Sequence, residues 1–484
     1  MMAKITVHRT IDAIPLHLSA GWQTYRAGRQ GRADIARRQQ QRLRDLVAYA
    51  RTHSTYFAEQ YRDVPQALTD ITQLPTLTKT DLMSRFDEWM TDPAVHRSEV
   101  EAFIADPTMI GHDYLGRYVV CTTSGSTGTP TILMHDHRAL AVYNALGYVR
   151  SMPDALLRWD VLSALIRGHG RLAAVFVTDG HFLGNTMMAR RIRAKPWRAR
   201  MQKIFSALAP VKEIVAQLNA FQPVVLGGYP SALEALASEQ CAGRLHISPV
   251  LVNAAGETLT QEARRRIASA FGCRVGNYYG TSEAVGLTFE CPAQRLHVNS
   301  DWYILEPVDE HDRPVSPGQL SHGALVTNLA NRVQPIIRYQ IGDQIALSAE
   351  TCSCGSPFPT IDVIGRTDDT LVFAIEGREP VRVLPLAIAT VAEETTGVAA
   401  CQIIQRGPSR LRVRFRASAA EEEPTVWDVL RRHLGDYLAA QGAIGVSIER
   451  DDMPPQLHPR SGKFRQVYAD FRPSDRGAGD VRTV

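Results

Sequence analysis

A ten-residue stretch in the first third of the chain, TTSGSTGTPT from Thr122 to Thr131, concentrates hydroxyl groups and glycine. Its five Thr and two Ser can donate hydroxyl hydrogens, and its two Gly let the backbone approach a ligand closely. Such a loop suits a polyphosphate that is bound from several sides. The Walker pattern G-x-x-x-x-G-K-[ST] is absent because no Lys follows in register, which disfavours a P-loop NTPase. A surface loop without a ligand has the same composition, so the stretch alone leaves both interpretations open.

Three other segments carry groups that suit a bound nucleotide. YQIGD, from Tyr339 to Asp343, ends in a carboxylate that can accept hydrogen bonds from ribose hydroxyls. NYYGTSE, from Asn277 to Glu283, supplies aromatic rings for a flat base, a Thr hydroxyl and a carboxylate that suits magnesium. HPRSGKFRQV places Lys463 on a turn beside glycine. Each segment also has an ordinary interpretation as a strand end, a hydrophobic corner or an exposed basic turn, but together and in this order they form a pattern.

Taken in this order, the segments resemble the motifs of the AMP-forming acyl-adenylating enzymes. Within that superfamily the chain is similar to the phenylacetate–CoA ligase branch, which also contains synthetases that adenylylate a deazaflavin cofactor. The similarity covers nearly the whole chain and includes the helical segment LRDLVAYARTHSTYF. The resemblance implies an AMP-forming acid–thiol ligase-like enzyme. In its first step a carboxylate attacks the α-phosphorus of MgATP to give an acyl adenylate and pyrophosphate. In its second step a thiol or other nucleophile takes the acyl group and AMP is released.

The resemblance also assigns roles to the motif residues. Those that would wrap the β- and γ-phosphates are Thr123, Ser124, Gly125, Ser126, Thr127 and Gly128. Those that would flank the adenine are Gly256, Glu257, Tyr278 and Tyr279, with Gly280 in the same motif. Asp343 would hold the ribose, and Arg366 would reach the ribose or a phosphate.

The catalytic residues implied by the resemblance are Thr281, Glu283 and Lys463. Thr281 would contact the α-phosphate, and Glu283 would bind the magnesium ion. Negative charge moves toward the bridging oxygen as pyrophosphate leaves, so cations and fixed dipoles at the α-phosphate stabilise the transition state. The Lys463 amine would supply a positive charge there.

The acid and the acceptor are less fully specified. By position, the acyl pocket is lined by aromatic and small side chains, which suit an aryl or arylacetic acid; they are His181, Phe182, Gly228, Tyr229 and Ala255. An ordinary loop histidine is an equally good interpretation of His181. The segment TLVFAIEGREPVRVLPLAI has a longer polar loop, around Gly377 and Arg378, than the ligases of the branch. This difference supports transfer to coenzyme A less strongly than the motifs support adenylation, so a thiol such as coenzyme A, a carrier-protein thiol and an amine all stay open as acceptors. Adenylylation of a cofactor without acyl transfer is a further alternative. A non-catalytic nucleotide-binding relative is disfavoured by the intact Glu283, Asp343 and Lys463.

Two pairs of soft ligands predict a metal site. Cys291 and His297 lie in CPAQRLH, and Cys352 and Cys354 lie in CSCG. Four such ligands satisfy tetrahedral zinc, although C-x-C is a less common spacing than C-x-x-C. Some members of the resembled branch carry a structural zinc with ligands of this type, so the resemblance implies zinc here. The remaining cysteines are predicted to be buried thiols; they are Cys121, Cys241, Cys273 and Cys401.

The elements that must position these residues follow from hydrophobic periodicity. Roughly the first 100 residues are helical, with apolar residues at Leu43, Leu46, Val47 and Ala50. From Tyr118 onward, strand, turn and helix alternate, which predicts a largely parallel sheet covered by helices. WYILEPV and GALVTNLA then predict a small all-β section. From about residue 369 a strand–strand–helix–strand order predicts a compact α+β module, and the tail RPSDRGAGDVRTV is predicted to be disordered.

The predicted fold is therefore α/β, with a large N-terminal domain of parallel-rich sheets and a β section, and a small mobile α+β C-terminal domain. The expected boundaries are residues 1–367 for the adenylate-forming domain and 368–484 for the lid that carries Lys463. By the resemblance, Asp368 corresponds to the hinge about which the lid rotates between the two half-reactions.

The amino-acid composition indicates which kinds of binding partner and which cellular compartment to expect. Lys and Arg number 54 against 50 Asp and Glu, a net charge of +4, which does not favour nucleic acid or an anionic membrane. No apolar run reaches the roughly 18 residues of a membrane span, and the N-terminus has no continuous apolar signal core. Seven cysteines, an odd number without a dense framework, fit a reducing compartment. We expect a cytoplasmic enzyme, and a homodimer stays open.

Overall fold

The computed structural model describes residues 5–66, 68–123, 131–151, 159–363, 371–374, 380–383, 385–419, 423–456 and 466–470 of the 484-residue chain. Five predicted nucleotide-loop residues, Ser124 to Gly128, lie outside these ranges, as do Arg366, Asp368, Gly377, Arg378 and Lys463. The described residues form two compact units. The first contains the described residues within 5–123, 131–206 and 215–363, and the second those within 207–214 and 371–470.

The α-helices of the described residues are α1 (Ile5–Gly28), α2 (Arg32–His53), α3 (Thr55–Gln60), α4 (Lys79–Ser84), α5 (Phe86–Trp89), α6 (Arg97–Ala105), α7 (His137–Leu146), α8 (Trp159–Arg167), α9 (Leu183–Ala194), α10 (Val211–Phe221), α11 (Pro230–Cys241), α12 (Gln261–Phe271), α13 (Pro385–Glu393) and α14 (Glu423–Ala440). None of the helices in the part of the chain that the structure describes is long and apolar enough to cross a membrane.

The β-strands of the described residues are β1 (Val119–Thr122), β2 (Ile132–His135), β3 (Leu172–Phe176), β4 (Gln202–Ser206), β5 (Val225–Gly228), β6 (Leu251–Ala255), β7 (Arg274–Tyr278), β8 (Thr288–Glu290), β9 (Leu296–Val298), β10 (Tyr303–Val308), β11 (Gly323–Asn328), β12 (Ile336–Ile341), β13 (Ile345–Leu347), β14 (Thr360–Val363), β15 (Leu371–Phe373), β16 (Val381–Val383), β17 (Val398–Gly407), β18 (Arg410–Ala417), β19 (Ser447–Arg450) and β20 (Val467–Ala469).

The helical N-terminal region follows its hydrophobic spacing. The apolar residues predicted to share one face of α2 are all buried; they are Leu43, Leu46, Val47 and Ala50. The predicted helix LRDLVAYARTHSTYF is nevertheless interrupted, because Ser54 is extended between α2 and α3. Its hydroxyl oxygen accepts a hydrogen bond from the backbone N–H of Phe57 at 3.3 Å and so caps α3. The break is a correction to the expected single helix.

The predicted parallel sheet is present in the first unit. It has five strands in the order β4-β3-β5-β6-β7, and every neighbouring pair is parallel. Helices α9 to α12 follow β3 to β6 in turn, which is the strand–helix alternation expected from the sequence. Because the carboxyl ends of parallel strands meet at one edge, residues at the ends of β5, β6 and β7 are brought together.

The predicted all-β section is built from antiparallel sheets. One has the order β10-β11-β12 and another the order β13-β14-β9-β8; outside that section, β1 and β2 form a separate two-stranded antiparallel sheet. The β1–β2 pair holds the two sides of the Thr/Ser/Gly stretch together, since Thr122 is paired with Ile132. The backbone N–H of Thr123 also donates to the carbonyl of Thr131 at 3.1 Å. The two ends of that stretch are thereby fixed side by side.

The second unit is an α+β module, as the sequence predicts. Its four-stranded sheet has the order β19-β18-β17-β20, in which β17 and β18 are antiparallel and both outer strands are parallel to their neighbours. Helix α14 follows β18 and buries Leu430 and Leu434. Three further elements were not predicted: the β15–β16 hairpin, helix α13 and the short edge strand β20.

Candidate active site and metal centre

The register of the parallel sheet brings together residues predicted for the acyl pocket and the adenine site. Gly228 ends β5 and is paired with Ala254, while Ala255 ends β6 and is paired with Tyr278 at the end of β7. Gly256 follows β6 with a φ of +85°, a backbone conformation that favours glycine. A Cβ there would lie 2.8 Å from the ring of Tyr229. The absence of a side chain at Gly256 therefore lets the Tyr229 ring pack directly against the backbone after β6.

Glu257 has a defined partner at this edge. Its carboxylate accepts hydrogen bonds from the backbone N–H of Ser231 at 3.0 Å and from the Ser231 hydroxyl at 2.9 Å. Ser231 lies in the first turn of α11, where backbone N–H groups have no partner within the helix and a negative charge is favourable. Glu257 thus ties the turn after β6 to the start of α11.

The segment after β7 is held in place by both of its tyrosines. The hydroxyl oxygen of Tyr278 accepts a hydrogen bond from the backbone N–H of Gly286, and burial raises the pKa of Tyr278 to about 12. Tyr279 is fixed to β8, because its N–H donates to Thr288 Oγ1 at 3.1 Å and its carbonyl accepts from that hydroxyl at 2.7 Å. The Tyr279 hydroxyl donates to Asp343 at 2.9 Å. The predicted adenine and ribose residues are therefore in direct contact.

Thr281 and Glu283 lie in the loop that these tyrosines anchor. The Thr281 hydroxyl oxygen is buried and has no hydrogen-bond partner among the residues that the structure describes. A buried hydroxyl without a partner costs about 1–3 kcal/mol, so such a group suggests a ligand. Glu283 is only 7% exposed, and its backbone carbonyl accepts a hydrogen bond from Asn328 Nδ2 at 2.9 Å. The loop therefore presents a buried hydroxyl two residues before a buried carboxylic group.

A buried polar network supports this loop, and sequence reasoning missed it. Asn328 Nδ2 also donates to the Tyr143 hydroxyl at 2.8 Å, and that hydroxyl lies 3.2 Å from His135 Nδ1. His135 Nε2 in turn lies 3.6 Å from Cys121 Sγ. Burial lowers the pKa of His135 to about 4 and raises the pKa of Cys121, so both side chains are neutral near pH 7. The network links β1 and β2 to the Glu283 backbone.

His181 lies beside the end of β1, and its imidazole is buried. The Thr122 N–H donates to the His181 carbonyl at 2.9 Å. The side chain is buried, with the residue 2% exposed, and packs against Phe103 with ring centroids 5.4 Å apart. Neither ring nitrogen reaches hydrogen-bond geometry with another described residue. Burial lowers the pKa of His181, while the nearby backbones of Asp106 and Val120 act in the opposite direction.

The four predicted metal ligands converge beside the β13-β14-β9-β8 sheet: His297 lies on β9, Cys291 directly follows β8, and Cys352 and Cys354 lie in the loop between β13 and β14. Their ligand atoms all lie within 4.8 Å of one another. Cys291 Sγ is 3.7 Å from Cys352 Sγ, and Cys354 Sγ is 3.3 Å from His297 Nε2. His297 Nδ1 donates to the Phe358 carbonyl at 2.8 Å, which leaves the lone pair of Nε2 available to a metal ion. Three cysteine sulfurs and one imidazole nitrogen fit zinc, because they are a preferred tetrahedral ligand set for that ion.

The other cysteines only partly match the expectation of buried thiols. Cys121 and Cys401 are buried, and Cys273 is partly buried. Cys241, at the end of α11, is exposed, so its prediction was wrong. The reason is its position along the helix: the buried residues of α11 end at Ala237, and Cys241 is the last residue of the helix, one turn beyond them.

A family model described as "AMP-binding enzyme" matches residues 46–327, which is more than half of the chain. The chain belongs to the AMP-binding enzyme family. The resemblance to adenylate-forming enzymes is thereby confirmed, and the protein is an enzyme of the adenylate-forming, acid–thiol ligase type. The matched range contains Thr123, Thr281 and Glu283 among the predicted site residues, while Asp343 and residues 367–484 lie beyond it.

Individual relatives extend the similarity of this AMP-binding enzyme beyond the matched range. It is 25% identical over 470 residues to the phenylacetate-coenzyme A ligase of Thermus thermophilus, covering 89% of this chain and 95% of the relative. Among solved structures, 2-hydroxyisobutyryl-CoA ligase with 2-HIB-AMP and CoA in the thioesterification state is 20% identical, with 90% of each chain covered and a TM-score of 0.56. The same ligase in the postadenylation state with R3-HIB-AMP has a TM-score of 0.50, with 20% identity over 89% of this chain and 88% of that one. The structural likeness confirms the predicted fold class.

Proposed function

We propose that this AMP-binding enzyme activates a carboxylic acid with ATP and transfers the acyl group to coenzyme A. The observation that carries the proposal is the buried Thr281 hydroxyl, which has no partner among the described residues and lies in a loop anchored through Tyr279 to Asp343 and through Asn328 to Glu283. Support also comes from the relatives named for acid–CoA ligation, one acting with phenylacetate and the other with 2-hydroxyisobutyrate.

In the first step the enzyme must hold a carboxylate against a triphosphate that repels it. Thr281 donates a hydrogen bond to an α-phosphate oxygen, where charge develops as the carboxylate oxygen attacks and pyrophosphate leaves. Asp343 accepts hydrogen bonds from the ribose, and Tyr278 and Tyr279 lie beside the adenine with Gly256, Glu257 and Gly280. The Thr/Ser/Gly stretch from Thr123 to Gly128 binds the β- and γ-phosphates, and Arg366 reaches the ribose or a phosphate. Lys463 brings an ammonium group to the α-phosphate.

Magnesium fits the Glu283 position. The residue is buried beside Thr281, and a carboxylate oxygen is a ligand that magnesium prefers. The ion, when bound, neutralises phosphate charge during the transfer. Glu283 would hold it together with oxygens of the nucleotide, since magnesium is usually bound by one or two carboxylates plus substrate phosphates.

The substrate class follows from the side chains near the ends of β5 and β6. Gly228 and Ala255 are small residues at this edge, and Tyr229 stands against Phe176 with ring centroids 4.8 Å apart and an interplanar angle of 80°. Aromatic edges and small residues suit a flat acyl group. We therefore assign an aryl or arylacetic acid, bounded on its other side by His181 and Phe182.

The second step, transfer of the acyl group, requires the C-terminal lid to present a different face to the active site. We propose that residues 1–367 form the adenylate-forming domain and residues 368–484 the lid, with Asp368 at the hinge. Lys463 then takes part in adenylation, and rotation of the lid admits the thiol. Transfer of the acyl group to an amine or to a carrier protein is the alternative for this step.

The cytoplasmic location and the homodimer stay predictions.

We also propose that the cysteine–histidine cluster binds a zinc ion with a structural role. Cys291, His297, Cys352 and Cys354 would hold it, and four protein ligands leave no position for water or substrate. The ion, when bound, supplies a cross-link between the turn after β8 and the loop before β14.

The decisive experiment is acid-dependent exchange of labelled pyrophosphate into ATP, measured over aryl, arylacetic and short hydroxy acids. Exchange that requires an aryl or arylacetic acid supports adenylation and the substrate class. Exchange with short hydroxy acids alone contradicts the substrate class, and no exchange with any acid contradicts adenylation. Mass spectrometry of products formed with coenzyme A, amines or carrier protein then identifies the acceptor. A stable adenylylated product that never forms a thioester would contradict the ligase proposal in favour of cofactor adenylylation.

A further inference from the structure

A cationic cleft lies between α1, α2 and α7 in the first unit. Its volume is about 320 Å³, and its polar lining consists mainly of Gln23, Arg38, Arg42, Asp45, Arg138 and Trp302. None of these residues belongs to the predicted nucleotide, acid or metal site. The three guanidinium groups and one carboxylate of the lining give it a formal charge of +2.

Within the described ranges, the arginines of this cleft are only partly neutralised by carboxylates. Arg42 approaches Asp301 only at 3.6 Å, because the Asp301 carboxylate is bound at 2.7 Å and 2.9 Å by Arg150. Its hydrogen bonds go to neutral oxygens, the Asp301 carbonyl and Gln23 Oε1 at 2.9 Å. One buried carboxylate is therefore shared between two guanidinium groups.

The other two arginines also donate to neutral acceptors. Arg138 donates to the Ala330 carbonyl at 3.3 Å, and Arg38 donates to Gln30 Oε1 at 3.0 Å. Burial lowers the pKa of Arg42 to about 10 despite the attraction of Asp301, and repulsion from Arg38, Arg138 and Arg150 lowers it further. Burial likewise lowers the pKa of Arg138. The cationic form of these groups is thus incompletely compensated by the protein itself.

Trp302 adds an independent sign of a missing acceptor. The residue is 3% exposed, and its Nε1–H has no hydrogen-bond acceptor among the described residues. The Arg42 guanidinium carbon lies 3.3 Å from the Trp302 ring centroid, so the ring fixes that cation in place. A buried indole N–H normally finds a partner. The cleft therefore combines an arginine held in place by a ring, Arg42, with a buried indole N–H, that of Trp302, which has no acceptor among the described residues.

We propose that this cleft is a binding site for a small phosphate-class dianion, either free phosphate or the phosphoryl group of a small metabolite. Two negative charges match the formal charge of the lining. Guanidinium groups bind phosphate oxygens in a fork geometry, and the partly buried setting strengthens such bonds relative to an open surface. Arg42 is already oriented by Trp302, so the cost of ordering it on binding is low.

Isothermal titration calorimetry of the full chain with inorganic phosphate tests the site, and substitutions in the cleft separate it from the proposed nucleotide site. Arg38→Gln and Arg138→Gln are each expected to weaken phosphate binding about tenfold, the value of one charge-assisted hydrogen bond. Asp45→Asn is expected to tighten it, because the variant removes the one carboxylate of the lining. The control is Arg37→Gln, the neighbouring residue on α2, whose side chain is 74% exposed and pairs with Asp34 outside the cleft.

The outcomes separate the alternatives. No phosphate binding, or binding that Arg38→Gln, Arg138→Gln and Asp45→Asn leave unchanged, overturns the proposal. If circular dichroism shows that Arg138→Gln does not fold, the more accessible Arg38 and Asp45 variants decide. A second titration with glycerol 3-phosphate distinguishes the sources: tighter binding than phosphate supports a metabolite, and weaker binding supports the free ion. Equal competition by chloride at the same ionic strength overturns a phosphate-specific site.

Discussion

The Tyr279 hydroxyl donates a hydrogen bond to the Asp343 carboxylate at 2.9 Å and so joins the segment after β7 to the segment after β12. These two residues are 64 positions apart in the chain. The contact holds the predicted adenine and ribose positions at a fixed separation before a nucleotide binds. It therefore acts as preorganisation of the site.

Replacing Tyr279 by Phe tests this contact. The variant keeps the ring and its backbone bonds to Thr288 but removes the hydroxyl that orients Asp343. We expect the KM for ATP in pyrophosphate exchange to rise about tenfold, the value of one hydrogen bond to a charged group, with a smaller effect on kcat. Tyr148→Phe, at an exposed position of the same unit, is the control. An unchanged KM for ATP would show that Asp343 does not depend on Tyr279 for its orientation.

Thr281→Val separates a catalytic hydroxyl from a structural one. The substitution removes a buried polar atom that has no described partner, so the free energy of unfolding should stay the same or increase. Loss of a transition-state hydrogen bond should nevertheless lower kcat for adenylation about 100-fold, corresponding to roughly 2.7 kcal/mol. Thr281→Ser keeps the hydroxyl and should retain most activity. Normal exchange by the Val variant would remove Thr281 from the mechanism.

Lys463→Ala should affect the two half-reactions unequally. The ammonium group is predicted to stabilise charge at the α-phosphate, so adenylate formation should fall at least about 100-fold. Thioester formation from a chemically prepared acyl adenylate should fall much less, because that step has no pyrophosphate to release. Lys195→Ala, which removes a lysine from the turn after α9, is the control. Near-normal pyrophosphate exchange by the Lys463 variant contradicts the assignment.

The buried His135 predicts a pH dependence of stability. Its pKa is about 4 in the folded protein and about 6.5 when unfolded, so the unfolded chain binds more protons below pH 6.5. The stabilisation is fully present above pH 6.5 and is lost as the pH falls toward 4. Urea unfolding at pH 8 and pH 5 should show about 2 kcal/mol less pH dependence in His135→Leu than in the unsubstituted protein. An identical dependence in both proteins would place the imidazole in contact with solvent.

The metal centre can be checked without an activity assay. We expect about one zinc ion per chain by elemental analysis, and a lower midpoint of thermal unfolding after chelation. Cys354→Ser should reduce the zinc content, whereas Cys241→Ser, at an exposed cysteine outside the cluster, should not. Zinc content that survives in the Cys354 variant, with an unchanged midpoint, would exclude this residue as a ligand.

Local patterns predicted much of the fold. The spacing of Leu43, Leu46, Val47 and Ala50 predicted α2, because burial of one helix face repeats every three to four residues. Alternating strand and helix segments likewise predicted the parallel sheet, whose register then places Gly228, Ala255 and Tyr278 at one edge. These predictions succeeded because each depends on short-range periodicity or on a general rule of sheet topology.

Features that depend on long-range contacts could not be predicted in the same way. The contacts of His135 with Tyr143 and of Tyr143 with Asn328 join a strand, a helix and a distant strand, and no periodicity in the sequence marks them. The bond between Glu257 and Ser231 is equally hidden, because it depends on how β6 lies beside the start of α11. The break at Ser54 was a local signal that could have been found, since Ser is a favoured N-cap residue.

The β13-β14-β9-β8 sheet connects the cysteine–histidine cluster to the segment that carries Asp343. His297 lies on β9, which pairs with β14, and β14 pairs with β13, which starts two residues after Asp343. These strands are only three or four residues long, so few backbone bonds hold them in register. If the cluster holds zinc and Asp343 binds the ribose as proposed, loss of the ion would loosen the Asp343 segment before it disturbed the larger parallel sheet, and nucleotide affinity would fall with the metal supply.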